Sequence, residues 1–250
     1  MTEHQRPGVS KPMSRRDLLK VSGATAVALA AQALPAEAVS VAQRFDINDF
    51  DSDRSALVFI EFQNEWLNPG GVLNRLIQDR ALFDTAVHNA GRIIQKARER
   101  GVRVVHAGLS LVDDPDYMIF GQGKNKSGLK GAIPKAGTWR NPEQVRFPEP
   151  FAPRRGEFVV AGRSGASVLT NSTLDPYLRN NRIEHIYLLG FALHVCVEST
   201  LRHAHDLGYE VTVISDAAPA FTAEQQAHVL RHVVHHFGSS TTTDELICQL

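Results

Sequence analysis

From residue 54 onward, short apolar runs and stretches of helical period take turns along the chain, and this alternation restricts the fold more than any other feature. Ala56-Leu57-Val58-Phe59-Ile60 is continuous hydrocarbon, the pattern of a strand covered on both faces. Between Asp79 and Arg100, residues Leu82, Ala86, Ala90, Ile93, Ile94 and Ala97 recur at helical spacing, and Gly101 supplies a stop. Further strands are expected at 102–107, 157–160, 185–189 and 210–214. Helices are expected at 174–181, 196–207 and 222–237, with a short last one after the cap Thr242-x-x-Glu245. This order predicts a single doubly wound α/β domain, a mostly parallel sheet with helices on both faces. Residues 108–155 remain irregular, and so long a connection is expected to be functional or to hold further structure.

The first forty residues differ in kind. Ser14-Arg15-Arg16-Asp17-Leu18-Leu19-Lys20 resembles the twin-arginine export motif, an Ala-rich apolar run follows to about Leu34, and Ala36-Glu37-Ala38 has the form of a cleavage site. Residues 1–38 are therefore expected to be a signal peptide that is removed, 39–53 a linker and 54–250 the domain, in a periplasmic or extracellular protein. The apolar run is too short and too rich in Ala for a membrane span, which needs roughly 20 strongly apolar residues. No membrane association is expected after removal. Lys+Arg and Asp+Glu both total 27, and losing the five basic and three acidic residues of 1–38 leaves 22 against 24. No cationic excess points to nucleic acid. With cysteines only at 196 and 248, a disulfide framework does not hold the domain together.

In an open α/β sheet, ligands lie beyond the carboxyl ends of the strands. Those ends bring up Glu61, His106, the segment 161–165 with Arg163, the segment 190–196, and Asp216. Cys196 follows a tight Gly190-Phe191-Ala192 turn near a helix start, where free N–H groups favour a thiolate and can hold an oxyanion; a buried structural cysteine is the alternative. Glu61, at the end of an apolar strand, has no packing reason to be there and suits a general base; a cap is the alternative. Arg163 would add a permanent positive charge to the same crevice; an ordinary surface arginine is the alternative.

Two other patterns carry less. Gly121-Gln122-Gly123-Lys124-Asn125-Lys126-Ser127-Gly128 looks like a phosphate loop but lacks the G-x-x-x-x-G-K-[ST] spacing and a clear preceding strand, so nucleotide binding is not expected. His228, His232, His235 and His236 lack carboxylate or cysteine partners at ligand spacing and read as a solvated helix face.

Together the segments resemble the isochorismatase-like cysteine hydrolases, the superfamily of nicotinamidases and carbamoyl-amide hydrolases. The first-strand motif A-L-L-V-I-D-M-Q-N-D-F has its counterpart in Ala56 to Trp66, reading ALVFIEFQNEW. The nucleophile motif G-V-x-T-x-x-C-V-x-x-T corresponds to Gly190 to Thr200, reading GFALHVCVEST, and Gly208-Tyr209-Glu210-Val211 and Ser215-Asp216-Ala217 continue the pattern. The resemblance implies an Asp-Lys-Cys catalytic set, carried over as Glu61, Arg163 and Cys196. Glu for Asp and Arg for Lys are both departures. It further implies an oxyanion held by the N–H groups of Ala192 and Cys196, a cis peptide bond before Ala192, and hydrolysis of a small amide or related C–N substrate through a thioester.

The aspartate and histidine metal pattern of nicotinamidases is missing after the second strand, so neither metal nor other cofactor is expected. Trp66, His106, Trp139 and Phe191 are candidates for the pocket wall, with core packing the alternative for each aromatic. The lysines of 108–155 either admit an anionic substrate or are simply solvated. The resemblance also implies a homo-oligomer whose partner is a small-molecule substrate. Two other functions stay open: a vinyl-ether hydrolase of the isochorismatase type, which does not use the cysteine, and a non-catalytic binding protein on the same fold.

Overall fold

The computed structural model describes residues 50–124 and 126–250. The segment read as a signal peptide, and most of the linker after it, lie outside the described residues. Among the described residues, six strands form one sheet: β1 (Ser55–Ile60), β2 (Val104–Ala107), β3 (Phe158–Val159), β4 (His185–Gly190), β5 (Glu210–Ile214) and β6 (Ser239–Thr241). Their order is β3-β2-β1-β4-β5-β6 and every neighbouring pair is parallel. β6 was not expected: three short polar residues give no hydrophobic signal, and the strand exists because it pairs with Thr212–Ile214.

The main helices are α2 (Arg80–Arg100), α5 (Leu174–Asn180), α6 (Glu198–Asp206), α7 (Ala223–His232) and α9 (Thr243–Gln249). Each long helix has a local reason to start or stop. The Asp79 carboxylate accepts the Leu82 N–H at 3.0 Å, and Gly101 closes α2 at φ 69°. Thr242 and Glu245 form a reciprocal capping box on α9. The helix expected over 222–237 is broken at Val233 (φ −118°), and α8 (Val234–Phe237) follows it. The four histidines of this stretch are exposed.

The two faces of the sheet carry separate cores. Ala56, Val58 and Ile60 pack with Leu174, Leu178 and Leu201, whereas Leu57 and Phe59 pack with Ile93, Ile94, Ala97 and Leu246. That is the three-layer, doubly wound arrangement expected from the alternation. The stretch 108–155 is largely structured, with α3 (Leu129–Ala136), α4 (Pro142–Val145) and a 3-10 segment over Met118–Gly123. Gly121 to Gly123 close that 3-10 segment and do not follow a strand, unlike a phosphate loop. The remaining short helix, α1 (Asn64–Leu67), directly follows the end of β1.

Candidate active site

The strand order reverses direction between β1 and β4, which makes their carboxyl ends a topological switch point. Ile60 and Gly190 are register partners, so the residues after them diverge from one spot. Glu61 takes the left-handed backbone conformation, φ 59°, and its N–H donates to Ala107 O at 2.9 Å. Gln63 then locks the bend: its Nε2 donates to Leu109 O and Val145 O, and its Oε1 accepts the Leu109 N–H. Gly190 has φ 119°, and a Cβ there would run into the Ile60 backbone, so only glycine lets the two strand ends come this close.

Past Gly190 the Phe191–Ala192 peptide is cis, as the sequence resemblance implied. The chain then makes one wide π-helical turn, Leu193–Val197, in which the Val197 N–H reaches Ala192 O at 3.3 Å before α6 begins. Cys196 therefore lies in this turn and not in the regular helix expected at 196–207. The N–H groups of Phe191, Leu193, Val195 and Val197 are taken up by Ile60, Pro219 and Ala192 carbonyls; that of Ala192 is not engaged in this way.

Glu61, Arg163 and Cys196 meet at the floor of one cavity of about 460 Å³, which Ala192 also lines. Both charged side chains are almost fully buried, and Arg163 Nη1 lies 2.7 Å from Glu61 Oε1. The contact is ionic, without the alignment of a hydrogen bond. The other Glu61 oxygen, Oε2, accepts from Trp66 Nε1 at 2.8 Å. The Arg163 fork is held by its own loop: Nε donates to Gly165 O at 2.9 Å and Nη2 to Ala166 O at 2.7 Å. Lysine, whose three donors share one nitrogen, lacks the planar fork that spreads these three contacts over separate nitrogens.

The thiol of Cys196 is close enough to both charges for each to act on its ionisation. Burial pushes its pKa well above the ordinary thiol value, Glu61 pushes it further, and Arg163 opposes them. The sequence suggests a thiolate favoured by a helix start; burial beside a carboxylate acts the other way and favours the neutral thiol. Burial acts to lower the Arg163 pKa, but the charge of Glu61 opposes it and the pKa is raised.

Of the expected pocket aromatics, Trp66 and Trp139 line the cavity. His106 and Phe191 do not, which corrects that expectation. His106 is engaged elsewhere, with Nε2 at 2.8 Å from Glu157 and its ring against Phe59 and Phe147. Burial lowers its pKa, with Glu157 opposing. Phe191 forms a layer behind the wall, against Trp66, Phe62 and Phe83. Asp216 is structural, accepting from Asn89 of α2 and from Thr243 of α9. The rest of the wall was missed: Leu73, Leu109, Phe120, Ile133, Thr138 and Phe221 are scattered along the chain and share no periodicity.

The geometry has relatives. The ureidoacrylate amidohydrolase RutB of Caulobacter segnis is 28% identical over 210 residues, covering 77% of this chain and 84% of that one. The protein of the same name from Yersinia enterocolitica is 29% identical over 182 residues, covering 67% and 76%. Among solved structures, a cysteine hydrolase from Pseudomonas syringae pv. phaseolicola superposes with a TM-score of 0.66 at 24% identity, covering 80% of this chain and 93% of that one. N-carbamoylsarcosine amidase from Thermoplasma acidophilum gives 0.55 at 23% identity, covering 76% and 97%. Residues 55–245, from the start of β1 into α9, match the isochorismatase domain, and the chain belongs to that family.

Proposed function

We propose that this protein is a cysteine hydrolase that cleaves a non-peptide C–N bond, in an amide or carbamoyl compound, through a thioester on Cys196. The observation that carries this is the convergence of a thiol, a carboxylate and a guanidinium on the floor of one cavity. The names of its relatives, ureidoacrylate amidohydrolase and N-carbamoylsarcosine amidase, agree with C–N hydrolysis.

Glu61 accepts the Cys196 proton as sulfur attacks the substrate carbonyl carbon. Before the transfer the cluster holds Arg⁺, carboxylate and neutral thiol; afterwards it holds Arg⁺, carboxylic acid and an attacking sulfur that carries the negative charge. Its net charge is unchanged, so no uncompensated charge appears in the buried site. The Ala192 and Cys196 N–H groups hold the oxyanion. Protonated Glu61 then gives its proton to the departing nitrogen, the C–N bond breaks, and a thioester remains. Water, deprotonated by Glu61, attacks the thioester carbonyl and releases the acid and the free thiol.

A screen of small amides and carbamoyl compounds tests the proposal, run with the wild-type protein and Cys196→Ala. Turnover that disappears in Cys196→Ala supports it; full activity in that variant ends it. Export by the twin-arginine route and self-association belong to the same proposal. Cell fractionation with N-terminal sequencing, and light scattering, test them in turn.

A further inference from the structure

Above the three groups the cavity is walled mainly by hydrocarbon, with Leu73, Leu109, Phe120, Ile133 and Phe221 on its sides. Its volume, about 460 Å³, lies within the range of roughly 300–1,000 Å³ common to small-molecule sites. Of the cations that line it, Arg163 is committed to Glu61 and to two carbonyls, and Lys130 is exposed to solvent. A carboxylate carried inside would lose its hydration without gaining a buried counter-charge.

The hydrocarbon continues outward from the wall to the protein surface. α3 turns Leu129, Ala132, Ile133 and Ala136 to the cavity, spacings of three and four that keep them on one face of the helix. Ile133 is buried, whereas Leu129, Ala132 and Ala136 are exposed. Leu76, at the end of the 3-10 turn Asn74–Leu76, lines the same cavity. Leu76 is 46% exposed and Leu129 is 40% exposed, so the two side chains touch both solvent and cavity and form an apolar lip. Among the described residues the other large apolar side chains left exposed are Met118, Ile119 and Val159, and the first two directly precede Phe120 of the wall. Single exposed apolar residues are ordinary, but their concentration around one cavity marks a binding surface. Lip and wall make one apolar track that ends at Cys196.

Resting on the hydrolase proposal, we propose that the substrate is the amide of an uncharged hydrocarbon chain, long enough to run from the C–N bond at Cys196 out to the lip at Leu76 and Leu129. Glu61, Arg163 and Cys196 close the floor, so one arm of the amide is long and the other is small. The occupant of the lip is the substrate's own chain, because the residues of the lip line the cavity that holds the nucleophile. Phe120 and Ile133 flank the inner part of the chain, and the lip covers its far end. Selection is then by length and by the absence of charge.

The test is calorimetric binding to the Cys196→Ala protein, which lacks the proposed nucleophile. One series of ligands is butanamide, hexanamide and octanamide; the other is N-ethylacetamide, N-butylacetamide and N-hexylacetamide, which puts the chain on the nitrogen. Succinamate and the similarly shaped 4-methylpentanamide compare a carboxylate with hydrocarbon. In one of the two series affinity is expected to rise by up to about fourfold per added methylene, the worth of burying one CH₂ group. Succinamate is expected to bind more weakly than 4-methylpentanamide. Adding Leu76→Ser and Leu129→Ser together should cut the gain between the two longest members of the rising series by about half or more. Val159→Ser, exposed but outside the cavity, should not change that gain. Affinity that rises with length in neither series overturns the proposal, as does tighter binding of succinamate. A gain that survives the double variant also overturns it, and an oligomer that the same variant dissociates in light scattering would then assign the lip to a second copy of the chain. If the double variant does not fold, the length series and the succinamate comparison on Cys196→Ala alone decide. Failure of the hydrolase proposal would show separately, as length-graded binding while the wild-type protein turns over no amide.

Discussion

Arg163 Nη1 lies 2.7 Å from Glu61 Oε1, and both side chains are sealed from water while the thiol of Cys196 faces them. The pair differs from the Asp and Lys that the sequence resemblance implies, and the structure gives the two departures a common logic. The guanidinium reaches the acid while two of its other nitrogens are held by Gly165 and Ala166, so the cation is fixed before any substrate arrives.

Arg163→Lys is expected to keep the fold and lose activity by roughly a hundredfold, because a single nitrogen lacks the planar fork that holds both carbonyls while a third nitrogen faces Glu61. Arg163→Ala should do more, leaving a buried carboxylate unpaired at a cost of about 3–5 kcal/mol. Steady-state kinetics and urea unfolding of the two variants separate these effects. Equal stability of both variants and wild type would contradict the argument.

Trp66→Phe removes the N–H that holds Glu61 Oε2 but keeps an aromatic ring in the wall. A hydrogen bond to a charged group is worth about 1.5–3 kcal/mol, so kcat should fall about tenfold or more. KM for an apolar amide should move far less.

The raised pKa of Cys196 sets the pH dependence of its chemistry. Without substrate, alkylation by iodoacetamide should be slow at pH 7–8 and should still be rising at pH 9, beyond the usual thiol midpoint of about 8.5. A rate plateau below pH 8 would show a thiolate at rest. Exposed Cys248 supplies an internal comparison, expected to react first at neutral pH. Peptide mass mapping assigns the two rates.

Gly190→Ala places a Cβ against the Ile60 backbone at φ 119°. Overpacking and an unfavourable backbone angle combine, and the loss of stability is expected to reach about 3 kcal/mol. Thermal unfolding measures it, and activity should fall as well because β1 and β4 both lead into the site.

His185 is held neutral by burial, its pKa lowered to about 4. The unfolded chain takes up this proton first, at about 6.5. The contribution is therefore complete above pH 6.5 and is lost as pH falls toward 4. At about 1.36 kcal/mol per pH unit the loss is on the order of 3 kcal/mol at most. Chemical denaturation between pH 4 and 7 should show the slope, and His185→Gln should flatten it.

Much of this architecture is legible in the chain because burial writes itself into residue type. Ala56 to Ile60 is wholly apolar since both faces of β1 are covered, and the spacing from Ala86 to Ala97 marks the buried side of α2. Strand ends then point to Glu61 and Cys196 by topology. His106 stood at such an end too, but its ring is taken up by Glu157, Phe59 and Phe147 and does not reach the cavity. The apolar wall was not legible. Leu73, Phe120, Ile133 and Phe221 are ordinary core residues by type, and only tertiary packing puts them around one space. β6 and the wide turn at 193–197 were missed for a related reason, since pairing and geometry create them without any marked composition.

Glu65 accepts from Val72 N with one oxygen and from Trp139 N with the other, four residues beyond Glu61. The cavity wall is thereby stitched to the same short stretch of backbone that carries the buried Glu61 carboxylate. Divergence toward new substrates would have to leave that stitch intact, swapping side chains at Phe120, Ile133 or Phe221 while the backbone at 139 stays fixed. Selectivity in this scaffold is a lining that can be changed, sewn to a seam that cannot.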